Sequence, residues 1–167
     1  MILNLGSGSS TYGDIRLDMT KNPNVTIIAE AHHLPFKTET FDQVYSQNIF
    51  EHLRDPGTAL KEQERVLKHG GTLVLTTDNA TYWRNILTTK SGHTTYKTQN
   101  PNDMHYALYL PFHLRNYLSQ TTLTITRTEY VKPREWGATG AINKLLRLVP
   151  FLNHASYGAF KITATKK

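Results

Sequence analysis

Ile2-Leu3-Asn4-Leu5-Gly6-Ser7-Gly8 begins as a short apolar run and stops abruptly at glycine. A run of this length cut off by glycine reads as a buried strand rather than a helix. The Gly-Ser-Gly that follows supplies the left-handed dihedrals of a tight turn and lets backbone approach a ligand closely. Alone, such a triplet is common in loops. Its weight depends on what the following strand ends carry.

Working outward, Asp14–Leu17 alternates and predicts a second strand. Val25–Ile28 is β-branched and follows the turn signal Asn22-Pro23-Asn24, which predicts a third. Phe41–Ser46 predicts a fourth. Between Pro56 and Leu67, Ala59, Leu60, Gln63, Val66 and Leu67 fall at helical spacing, with Pro56 suited to the first turn and Gly70-Gly71 to the stop. Thr72–Thr77 is then a fifth strand. Strands separated by a helix argue for a parallel sheet in an α/β domain. The polar stretch Ala80–Asn102 reads as a long excursion. A helix is expected over His105–Leu118, strands over Leu123–Val131 and Ala159–Ala164, and an amphipathic helix over Ala141–Phe151. One domain spans residues 1–167, with 80–102 and 132–156 as insertions on the acceptor side or over the sheet.

In open parallel sheets, ligands sit at the carboxyl ends of the strands. Here those ends are polar in succession. Gly6-Ser7-Gly8 follows the first strand, Asp18 the second and Glu30 the third. Ser46-Gln47-Asn48 and Thr77-Asp78-Asn79 follow the fourth and fifth. An acidic side chain at the end of the second strand can accept hydrogen bonds from ribose hydroxyls. Each residue also has a structural reading: Asp18 as a turn residue, Glu30 as a solvated loop residue, Asn48 as a cap, and His52 as a packing residue.

The blocks Leu3–Gly8, Ile15–Asp18, Ala29–Phe36, Phe41–Tyr45, Phe50-Glu51-His52-Leu53 and Arg65–Leu73 together resemble the class I S-adenosylmethionine-dependent methyltransferases, in the subgroup called type 11. The resemblance implies a Rossmann-like α/β fold with a mostly parallel seven-stranded sheet and an antiparallel last strand. It also implies S-adenosyl-L-methionine as cofactor. Gly6, Ser7 and Gly8 would line its methionine end, Asp18 its ribose, Glu30 and Ala31 its adenine, and Gln47 and Asn48 its sulfonium and amino-acid end. His52, His105 and Asp78 are the candidates for a catalytic base.

One departure is plain. Only Gly6–Gly13 and Met19–Asn24 connect the first three strands, so the helices between them are shortened or absent, where parallel neighbours usually need a crossover of roughly a dozen residues. A sheet face left bare there needs cover if its strands are apolar on both sides. The Ala141–Phe151 helix, the Ala80–Asn102 excursion or a second copy in a homodimer would provide it.

Composition narrows the chemistry. The chain has no cysteine, which excludes disulfides, thiolate metal sites, thiol-adduct methylation of cytosine carbon, and radical chemistry at a cysteine-held cluster. It lacks an Asp/Asn/Ser-Pro-Pro-aromatic tetrapeptide, and its net charge of +6 is scattered, so nucleic acid is not the favoured partner. No run has the roughly 20 apolar residues of a membrane span, and Met1–Asn4 lacks the form of a signal peptide, so a cytoplasmic location is expected. The histidines show no His-x-x-x-His pair, and no metal site is expected. The reading is a methyltransferase acting on a small-molecule, sugar or lipid acceptor, on oxygen. The alternatives are a degenerate cofactor-binding subunit or scaffold and a nucleic-acid methyltransferase. A nicotinamide enzyme would show Gly-x-Gly-x-x-Gly opening a true helix, whereas Ser9-Ser10-Thr11-Tyr12 follows Gly8.

Overall fold

The computed structural model describes residues 1–90, 105–133 and 137–167. Its elements are β1 (Ile2–Leu5), β2 (Ile15–Asp18), β3 (Ile27–Ile28), β4 (Phe41–Gln47), α1 (Pro56–Val66), β5 (Leu67–Asp78), α2 (Trp83–Lys90), α3 (Pro111–Leu118), β6 (Leu123–Val131), α4 (Gly137–Leu148) and β7 (Ala159–Lys166). They form one seven-stranded sheet in the order β3-β2-β1-β4-β5-β7-β6. Strands β1 to β5 pair in parallel, and β7 runs antiparallel to both β5 and β6. The expected Rossmann-like sheet is present, antiparallel last strand included.

Cross-strand register explains how the chain uses this sheet. Leu3, Val44, Leu73 and Ala164 lie in one row, and Leu5, Ser46, Leu75 and Ile162 in the next. All eight are buried. Helix α1 buries Ala59, Leu60, Gln63 and Val66, and α3 buries Leu114 and Leu118, in the core that includes this face. Of the intervening residues, Gln43, Tyr45, Thr72, Val74, Thr163 and Thr165 are half-buried and mostly polar, while Asn4 and Thr76 are polar and buried. The strands therefore alternate apolar and polar rather than being apolar on both sides, so the second face needs less cover. The loop after β1 crosses part of that face: the Tyr12 and Tyr45 rings meet edge-on at 5.0 Å, and the Asn4 amide donates to the Tyr12 carbonyl.

Several boundaries differ from the sequence reading. The Gly70-Gly71 pair is not a helix stop; it lies inside β5, where the register against β4 jumps from Phe41–Leu67 to Gln43–Thr72 and forms a bulge. The helix expected over His105–Leu118 starts only at Pro111. Proline fits a first turn and disfavours helix in the residue before it, and the Leu110 N–H donates to the His113 ring at 3.1 Å. Upstream, Tyr109 bridges Asn79 beside the end of β5. Helix α4 corresponds to the expected Ala141–Phe151 helix, but starts earlier and packs chiefly on the turn Asn153–Ser156. Asn143 of α4 accepts from the Trp83 indole, and Leu145 and Leu148 remain exposed. Of the 80–102 excursion, residues 83–90 form α2 and 91–102 lie outside the described residues.

No helix joins β3 to β4. Arg65 of α1 holds that segment instead, donating to the carbonyls of Phe36 at 2.7 Å and Leu34 at 3.0 Å, while Glu62 accepts from the Leu34 N–H at 2.8 Å. Arg65 and Glu62 also pair with each other. This bracket fixes the loop that carries Glu30 and Ala31. Replacing Arg65 by alanine is expected to cost about 1–3 kcal/mol in urea unfolding, because two carbonyls lose a charged donor. Amide exchange should quicken over residues 30–37, and Arg65→Lys should restore only part of the loss, since an ammonium lacks the planar fork.

Candidate functional site

The Gly6 and Ser7 N–H groups both donate to the Leu17 carbonyl, at 2.9 and 3.1 Å, which folds the turn over the end of β2. Gly6 has φ +67°, and a Cβ there would overlap Ile49 Cγ2. Glycine is needed for both reasons. Gly8 also has positive φ, and its N–H donates to Asp18 Oδ2 at 2.8 Å. The other oxygen of Asp18 accepts from the N–H and hydroxyl of Thr20 at 3.0 and 2.9 Å. Asp18 thus has the turn-holding role weighed in the sequence; its Oδ1 already accepts two donors, and Oδ2 retains capacity for one more. The Ser7 Oγ is buried with no hydrogen-bond partner among the described residues.

Across the turn, Asn48 takes a left-handed φ of +51°, a conformation asparagine tolerates better than most residues, and its N–H donates to the Thr76 carbonyl at 2.8 Å. Gln47 and Asn48 are exposed, as is Glu30 in the loop after β3, where the Ala29 N–H donates to the Asp18 carbonyl. The fold therefore places Gly6, Ser7, Gly8, Asp18, Glu30, Ala31, Gln47 and Asn48 along one carboxyl edge, with the turn, Asp18 and the Ile49 junction in direct contact. A positive-φ glycine turn, an orphaned serine hydroxyl and an open polar edge fit a nucleoside carrying an amino-acid tail.

The three candidate bases also come together. The rings of His52 and His105 meet edge-on with centroids 4.4 Å apart, and His105 Nδ1 lies 3.8 Å from Asp78 Oδ2. Beside them is Glu51, which the sequence reading quoted only as part of a motif. Glu51 is 1% exposed, accepts from the Thr77 hydroxyl at 2.7 Å, and uses its own carbonyl to receive the Tyr106 N–H at 2.7 Å. Burial pushes its carboxyl up to about 7, reinforced by the Asp78 charge and opposed by the hydrogen bonds from its own backbone and from Thr77. Its sequence signal was weak, because an isolated Glu-His pair does not disclose that the extended segment before α3 folds back over it. A pocket of about 370 Å³ opens next to Asp78, lined further by Tyr82, Arg84, Asn85, Lys132 and Gly158.

Residues 7–75 match a protein family described as a methyltransferase domain. A curated but uncharacterized protein of Methanocaldococcus jannaschii is 38% identical over 74 residues, 42% of this chain and 32% of that protein. The chain thus spans about a third of that relative's length. Among solved structures, an S-adenosylmethionine-dependent methyltransferase of Thermotoga maritima superposes with a TM-score of 0.70 at 15% identity, covering 99% of this chain and 81% of that one. A methyltransferase solved in complex with the Haloferax volcanii Trm112 activator gives 0.68 at 16% identity, covering 98% of this chain and 80% of that chain. At such identities the likeness is one of fold.

Gly6→Ala should destabilise the chain by at least about 2 kcal/mol in thermal unfolding, through left-handed strain and overpacking against Ile49. Adding Ile49→Ala should relieve the clash and leave the strain. Glu51 carries a pH signature. Its carboxyl ionises near 4.5 when unfolded and near 7 when folded. Measured with a chelator present, the wild type should therefore lose stability as pH rises between those values, by on the order of 3 kcal/mol. Glu51→Gln should lack that slope, so the stability difference between the two proteins should shift toward the variant between pH 4.5 and pH 8.

Proposed function

We propose that this chain, whose residues 7–75 match a methyltransferase-domain family and whose sheet has the fold of solved S-adenosylmethionine-dependent methyltransferases, transfers a methyl group to an oxygen of a small polar acceptor. One observation carries the reading. The glycine turn ends β1 and the pocket lies at the end of β5, both at the carboxyl edge of the parallel strands with β4 between them, so a nucleoside along the turn and an acceptor in the pocket would share that edge. Arg84 and Lys132 line the pocket and favour an acceptor bearing a carboxylate or phosphate, such as an acidic sugar or a phosphorylated metabolite.

When bound, S-adenosylmethionine supplies a methyl group on a positively charged sulfur, a reaction centre that is already activated. The protein's task is to position and to exclude water. Gly6, Ser7 and Gly8 would hold the amino-acid end through backbone and the buried Ser7 hydroxyl, together with Gln47 and Asn48. Asp18 would accept from the ribose, and Glu30 with Ala31 would border the adenine. His52, His105 or Asp78 would take the proton of an acceptor hydroxyl, as a general base does.

Calorimetric titration with S-adenosylmethionine, S-adenosylhomocysteine and NAD tests the reading. Both sulfur nucleosides should bind and NAD should not. Asp18→Ala should weaken binding by roughly 5- to 150-fold, the worth of about 1–3 kcal/mol of hydrogen bonds to ribose. Failure of either sulfur nucleoside to bind the folded wild type would contradict the proposal.

A further inference from the structure

Glu51, His52 and His105 present a carboxylate oxygen and two imidazole nitrogens that all lie within 4.8 Å of one another. We propose that these three side chains hold a divalent transition-metal ion, with Asp78 as a fourth ligand or as the carboxylate that orients His105. The inference stands on this cluster and does not depend on the methyl-transfer reading.

The donor set has the chemistry of such a site. Two imidazoles with one or two carboxylates suit zinc or a neighbouring first-row ion, whereas magnesium and calcium prefer oxygen alone. The donors also stand on a braced framework. Glu51 and His52 occupy the single turn Phe50–His52, whose last N–H donates to the Ile49 carbonyl at 2.9 Å. The segment bearing His105 is tied to that turn by the Tyr106 N–H at the Glu51 carbonyl. The Thr77 hydroxyl fixes Glu51 Oε2, the kind of outer hydrogen bond that orients a ligating carboxylate. Metal bonds of about 2.0–2.2 Å require the donors to close by roughly 1 Å, a movement within reach of side-chain rotation.

Burial adds to this: Glu51 is 1% exposed, so an ion would meet a carboxylate oxygen already withdrawn from water beside two imidazoles. Asp78 lies 3.8 Å from His105 Nδ1 and also lines the 370 Å³ pocket. A vacant coordination position on that side would meet an acceptor's oxygen and lower its pKa. His52 and His105 then serve as ligands rather than as free bases. The absence of a tight histidine pair in the sequence does not bear on such a site, because its ligands come from separate segments.

The test is a cobalt(II) titration of metal-stripped protein, followed by visible absorption. One equivalent should bind and produce ligand-field bands. His52→Asn and His105→Asn should each weaken binding at least tenfold, while His69→Asn, at the far strand end beside Glu39, should leave it unchanged. No ligand-field bands with wild type, or binding unaffected in folded His52→Asn and His105→Asn, would overturn the proposal. Should those variants unfold by circular dichroism, manganese(II) added to wild type decides the matter by NMR. Selective broadening of the His52 and His105 ring signals supports the site, and sparing of both overturns it.

Discussion

Ile49 packs where a side chain on Gly6 would be, and the rest of the edge is organised around that contact. It presses the segment leaving β4 against the turn leaving β1, two strands that are neighbours in the sheet. With the turn fixed, its backbone can reach both Leu17 and Asp18 at the end of β2. With the departing segment fixed, Asn48 takes its left-handed backbone and the next turn delivers Glu51 and His52 to the end of β5. Glycine at this position is thus a packing requirement before it is a ligand-binding one.

The same economy runs through the fold. Loops replace the crossovers among the first strands, which is tolerable because the second sheet face is built from polar and half-buried residues. The segment between β3 and β4 has no helix, so Arg65 and Glu62 brace it with side-chain hydrogen bonds to backbone. What remains of the architecture is concentrated at the carboxyl edge. There the glycine turn ends β1, and the Glu51–His52–His105 cluster and the pocket at Asp78 lie by the end of β5, with β4 between the two strands.

The sheet was legible in the sequence because each strand is a short apolar or alternating run ended by glycine or polar residues. The edge residues were legible for the same reason: a strand end fixes where the next residue points. The misreadings have local causes. Gly70-Gly71 carries the signal of a helix stop, but a bulge in β5 uses the same residues. His105 to Leu110 keeps helical spacing of apolar residues, yet Pro111 and backbone pairing to Asn79 hold it extended. Glu51 could not be singled out, because its burial depends on Tyr106 and Thr77 arriving from distant parts of the chain. The pocket at Asp78 was invisible for a similar reason, since α2, the end of β6 and the start of β7 all contribute to it.

The central claim is that the glycine turn and its neighbouring strand ends form a nucleoside site. A crystal structure grown with S-adenosylhomocysteine tests it most directly. The amino-acid end should lie at Gly6–Gly8, the ribose within hydrogen-bond reach of Asp18, and the adenine beside Glu30 and Ala31. Well-ordered nucleoside bound elsewhere, or a bare edge at saturating concentration, would contradict it.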